Sequence, residues 1–154
     1  MSYIMGMNLT TVDSSPAFEL GSVGRTDDGK LYKYVQYETA AGAVAAVAGN
    51  VCYYYAPSGA SAGSTTVVTS DLSDSAGLGA GVLQAVLTDG AYGWIQIRGT
   101  ATITPALTAG ADGNALTAVG ATDGTLDVSA AVTDAIVAYA VDASAKIIKC
   151  DFPE

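Results

Sequence analysis

Short runs of Val, Ile, Thr and Tyr are interrupted along this chain by Gly and Pro every eight to twelve residues, a spacing that predicts short strands joined by tight turns. The clearest run, Leu31 to Tyr37, alternates in polarity and follows Thr26-Asp27-Asp28-Gly29, so it predicts a hairpin with Gly29 free to take a positive φ. Asp89-Gly90 marks a second reversal, between Gly81–Leu87 and Tyr92–Ile97. Asp123-Gly124 marks a third, between Leu116–Val119 and Thr125–Ser129. A fourth hairpin joins Ala135–Val141 to Lys146–Cys150 across Asp142 to Ala145.

The pieces repeat in order. Gly49-Asn50 opens one series and Gly113-Asn114 a second; Thr65–Ser70 then matches Thr125–Ala130, and the hairpin at Asp89-Gly90 matches the one at Asp142 to Ala145. Two units, at about 49–99 and 113–152, are too few for a solenoid. The expectation is an all-β fold, an antiparallel β-sandwich or barrel of jelly-roll-like form, occupying 16–154 as one domain. Residues 1–15 lack periodicity and are expected to form an N-terminal arm reaching outside the body. Composition marks 57–64 and 70–80 as loops. The Ala-rich run Ala40–Ala48 divides evenly between a short helix and a buried strand or loop.

Composition adds a constraint on assembly. Half of the 154 residues are hydrophobic, but 28 of these are Ala, and Ile, Leu, Val and Phe together number only 34. So thin a supply of large apolar side chains favours partner subunits that complete the burial. Six basic against fifteen acidic residues leave a net charge of −9, which argues against binding nucleic acid or an anionic membrane. The absence of His removes the commonest general base and metal ligand.

Cys52 and Cys150 lie 98 positions apart with no CxxC pair, and are read as reduced thiols. The N-terminus shows no secretory pattern, which fits synthesis in the cytosol. Residues 39–70 carry no charge, but Ala, Gly, Asn50 and Pro57 make them a poor membrane span.

Acidic pairs are the remaining candidates for chemistry. Asp27 with Asp28, Asp71 with Asp74, and Asp123 with Asp127 could act as acid and base, yet most sit where turns favour Asp for backbone hydrogen bonding. Asp71, Asp74 and Asp112 lie in loops that could offer calcium oxygens, without EF-hand or β-roll spacing. Gly77-Leu78-Gly79-Ala80-Gly81 lacks the helix and Lys-Ser/Thr of a phosphate loop. No catalytic, cofactor-binding or metal residue is assigned. Tyr supplies nine of twelve aromatic residues, and Tyr32, Tyr34, Tyr37, Tyr53, Tyr54 and Tyr55 are taken as candidate interface residues. Trp94, flanked by Ile95 and Ile97, is expected in the core.

The segment GRTDDGKLYKYVQY at Gly24–Tyr37, with GVLQAVLTDGAYGWIQIRG at Gly81–Gly99 and the strand opened at Gly49, resembles the capsid decoration, or cement, proteins of tailed bacteriophages. The resemblance covers residues 20–104. It implies a β-rich protein, commonly a homotrimer, that binds the exterior of the mature virion head and clamps neighbouring subunits of the major capsid protein. It carries no catalytic residues. The alternative is a carbohydrate- or receptor-binding module of a phage fibre, with exposed Tyr rings stacking on sugars. A bacterial surface or pilus-like subunit is a third reading, opposed by the missing secretory signal.

Overall fold

The four reversals expected from the sequence are all turns between paired strands. The computed structural model describes residues 3–4, 6–57 and 63–154, so most of the loop expected at 57–64 lies outside the described residues. Eleven strands are found among the described residues. They are β1 (Tyr3–Ile4), β2 (Val23–Arg25), β3 (Leu31–Tyr37), β4 (Val51–Tyr55), β5 (Val67–Thr69), β6 (Ser75–Leu83), β7 (Tyr92–Thr102), β8 (Ala115–Thr117), β9 (Asp127–Val128), β10 (Ala138–Asp142) and β11 (Ile147–Asp151).

The chain is all-β, and it is built on a closed barrel. Strands pair in the order β3-β5-β4-β6-β7, and β7 returns to pair with β3. The ring is mixed rather than wholly antiparallel, because Gln36 and Tyr37 pair in parallel with Val67 and Val68. The cause is topological: the chain crosses from β3 to β4, and β5 then inserts between those two, so it runs alongside β3 in the same direction. Closure removes the sheet edges that an open arrangement would leave unpaired.

Strands β8 to β11 repeat the pairing of β4 to β7. In each set the first strand lies between the second and third, and the third pairs with the fourth. The two Gly-Asn pairs make the same bonds. Gly49 N donates to Leu83 O and Leu83 N to Asn50 O, while Gly113 N donates to Ala140 O and Ala140 N to Asn114 O, all at 2.8–2.9 Å. Both glycines hold a positive φ, +87° and +84°, which L side chains rarely adopt.

Following this register, Ile95 corresponds to Ile148, Val68 to Leu126, Cys52 to Leu116 and Ile97 to Cys150, and all eight are buried. The second unit draws its opening strand from the tail of β7. Thr100–Thr102 pair with β11 as β3 pairs with β7, and Thr108 N then bonds Leu126 O as Glu38 N bonds Val68 O. The repeats therefore begin at the strands preceding Gly-Asn, and the two units interlock through β7. One core cluster runs through both.

Two local expectations change, and one left open is decided. Residues 70–80 were expected to be loop, but β6 begins at Ser75 after a 3-10 turn at Leu72–Asp74. Two of its glycines allow close approach: a Cβ on Gly81 would stand 2.8 Å from Gln96 O, and one on Gly79 2.9 Å from the Phe152 ring.

The Ala-rich run is loop, not helix. Ala40 and Ala43 take φ of +61° and +51°, and the amides of Thr39, Ala41 and Gly42 are captured by Asp89, Asp74 and Asp71.

The N-terminal arm does not reach away from the body where it is described. β1 pairs with β2, Asp13 bridges to Tyr92, and Met7, Leu9, Phe18 and Leu20 cover the outward rings of Tyr32, Tyr34 and Trp94. These apolar side chains gain more by burial than by exposure on an arm.

Candidate functional site

The carboxylates that could have done acid–base or calcium chemistry are largely committed to holding loops. Asp71 Oδ1 accepts from Ser73 N at 3.0 Å and its Oδ2 from Gly42 N at 2.9 Å. Burial pushes the Asp71 carboxyl up, but bonds from Ser73 and Gly42 outweigh this and hold it below the usual carboxylate range. Asp123 Oδ1 accepts from Leu72 N, Asp112 Oδ1 from Ala143 N, and Asp127 Oδ1 from Val128 N. Asp28 is held low first by the Thr26 hydroxyl, and Asp134 and Asp142 by backbone N–H groups of their own turns. Among the described residues no three His, Cys, Asp or Glu groups converge as a metal site.

The tyrosines are brought together, but mostly inside. Tyr32, Tyr34, Tyr37, Tyr53 and Tyr54 are all buried and only Tyr55 is partly exposed. A closed barrel buries one face of each strand, and neighbouring segments cover much of the other. Each of four phenols then reaches a distant backbone group. Tyr34 O–H donates to Asp13 and accepts from Ala17 N; Tyr37 O–H donates to Val44 O and accepts from Ser70 N. Tyr53 O–H donates to Thr125 O and accepts from Thr125 N, and Tyr54 O–H donates to Pro153 O. Rings so enclosed offer little area to a protein partner.

Trp94 is in the core, as expected. Its indole packs against Phe18 and Tyr34 at centroid distances of 5.3 and 5.1 Å.

Both thiols fill apolar core positions, those of Leu116 and Ile97 in the other unit. Burial pushes Cys150 up to about 12 and Cys52 higher still. Ellman's reagent is expected to leave both unmodified in the native protein and to titrate two thiols after unfolding in guanidinium. Rapid native labelling of either would contradict the burial seen here.

The surface that distinguishes the two units lies on β7, β11 and β10. In the first unit the outward side chains of β3 and β7 are covered by residues 7–20. In the second, the corresponding Thr100 and Thr102, with Lys149 and Tyr139 beside them in register, are exposed. Tyr139 is 45% and Val141 50% exposed. Next to them an open cleft of about 430 Å³ is lined by Gly29, Arg98, Gly99, Tyr139, Lys149 and Asp151. Arg98 pairs with Asp151 at 2.9 Å. In so acidic a chain this face combines apolar area with two of the six cations. Periodicity alone could have placed Tyr139 and Val141 on one face of a strand, but not shown that the described residues leave both about half exposed.

No family model, no curated protein and no solved structure matches the chain.

Proposed function

We propose that this protein is a structural decoration protein that seats, as a homotrimer, on the exterior of a tailed-phage capsid and bridges subunits of the major capsid protein. The observation that carries the reading is the bare β10–β11–β7 face, a surface suited to protein contact in a chain whose carboxylates serve its own loops. The two stretches that resemble cement proteins fall on the β2–β3 and β6–β7 hairpins, and β3 and β7 are neighbours in the ring. Of the three tyrosines a sugar-stacking module would need at its surface, Tyr53 and Tyr54 are buried and Tyr55 is only partly exposed, which counts against the fibre reading. No reaction is assigned to it.

Seating on an assembled lattice stabilises that lattice by mass action, and several simultaneous contacts multiply the effect. Capsids lacking the protein are expected to release DNA at lower temperature, and added protein to restore the difference. Tyr139→Glu with Val141→Asp is expected to lower capsid occupancy at least ~10-fold, since a docked face would bury both charges, while exposed positions leave the melting temperature nearly unchanged. Equal occupancy by the double variant, or equal DNA release with and without the protein, would overturn the assignment.

A further inference from the structure

Lys33 breaks the polarity rule of its strand. It shares the inward face of β3 with Val35 and Tyr37, opposite Ile95, and is only 4% exposed. Its Nζ donates to Tyr54 O–H at 2.9 Å. An ammonium has three protons to donate, and no carboxylate of the described residues lies within ion-pair distance. Glu154, the nearest acidic influence, has its carboxylate beside Arg98, 3.7 Å from Nε. Nor does Tyr54 neutralise the charge, because burial pushes its phenol up to about 12 and it stays protonated. A buried cation with one neutral partner costs stability.

The fold does not require it. By strand register Lys33 corresponds to Ala101 in the second unit, and Tyr54, four residues after Asn50, to Ala118, four after Asn114; both alanines are buried. The second unit thus packs two methyl groups at the positions where the first unit holds a lysine and a phenol.

Lys33 and Tyr54 line a pocket of about 360 Å³, within the usual range for small-ligand sites. Ser64, Thr65 and Glu154, whose carboxylate is paired with Arg98, contribute polar groups, and Ala76, Leu78 and Pro153 contribute apolar wall. We propose that this pocket binds a small aliphatic carboxylate, whose oxygens take the uncommitted Lys33 protons while its hydrocarbon body lies against Leu78, Ala76 and Pro153. A carboxylate suits one cation beside an apolar wall, whereas a phosphate calls for more donors than the pocket offers. This inference is independent of the capsid reading.

Titration of the full-length protein with sodium butanoate tests it, followed by the Lys33 side-chain NMR signal and by thermal melting, with 1-butanol, sodium chloride and inorganic phosphate as matched probes. Butanoate is expected to shift the Lys33 signal saturably and raise the melting temperature, while the other three do neither. Burial lowers the pKa of Lys33, so binding weakens as pH rises through that value and the ammonium is lost. Lys33→Met is expected to fold, given Ala101, and to lose the melting response. Tyr54→Phe, which keeps the ammonium, is expected to retain the response. A Lys33 signal unmoved by butanoate, an equal melting response in Lys33→Met, or equal binding of phosphate would overturn the proposal.

Discussion

Tyr53→Ala is expected to destabilise the protein by about 5 kcal/mol, enough to unfold much of a marginally stable population at 37 °C. The ring is wholly buried, so its removal carries the ~3–5 kcal/mol typical of deleting a core aromatic side chain. Its hydroxyl also belongs to the joint between the two units, where it bonds both N and O of Thr125. The turn at 122–125 is further held by Val51 N to Gly124 O, Gly124 N to Ser70 O and Leu72 N to Asp123. Tyr53→Phe keeps the ring and removes only the hydroxyl; Thr125 N retains a 3.3 Å bond to Thr122 O, so a loss of about 1–2 kcal/mol is expected. Urea unfolding of the three proteins measures both effects. A neutral Tyr53→Phe would mean that the hydroxyl does not tie the units together.

The turns at Asp28-Gly29, Asp89-Gly90 and Asp123-Gly124 were legible because the backbone demand is local: a glycine at positive φ directly after an Asp. Alternation likewise showed β3 as a strand. Neither property says what lies across from a side chain. The Tyr clusters were readable as strand residues, but whether both faces are covered depends on residues 7–20 and on β5 inserting between β3 and β4, contacts far apart in sequence.

Gly-rich β6 reads as loop because glycine has low strand propensity. Its reason for being there, the nearness of Gln96 O and Phe152, exists only in three dimensions. The Gly-Asn pairs exposed the internal repeat, but the second unit's first strand stayed hidden, since Thr100-Ala101-Thr102 has nothing chemical in common with Tyr32-Lys33-Tyr34. Lys33 was hidden by the same alternation that revealed its strand, for a lysine in an alternating run reads as a solvent-facing position.

Cooperative unfolding on the alkaline side is the second large effect expected, with its midpoint at about pH 11. Burial pushes Tyr34, Tyr54 and Cys150 up to about 12 and Tyr53 and Cys52 further, so all five stay protonated in the folded protein after their unfolded counterparts ionise. Folded pKa values above the unfolded ones mean that the folded state holds more protons; this stability is complete below the unfolded values and is lost as pH rises. Each group costs about 1.4 kcal/mol per pH unit within its window, so three of them, Tyr53, Cys52 and Cys150, together cost about 4 kcal/mol per unit near pH 11. Lys33 acts in the opposite sense, because its lowered pKa lets rising pH relieve a buried charge, but one group cannot offset five. Phenolate absorbance at 295 nm and far-ultraviolet circular dichroism are expected to change together in one steep step. Gradual ionisation near pH 10 with the strands intact would show instead that these phenols are open to solvent.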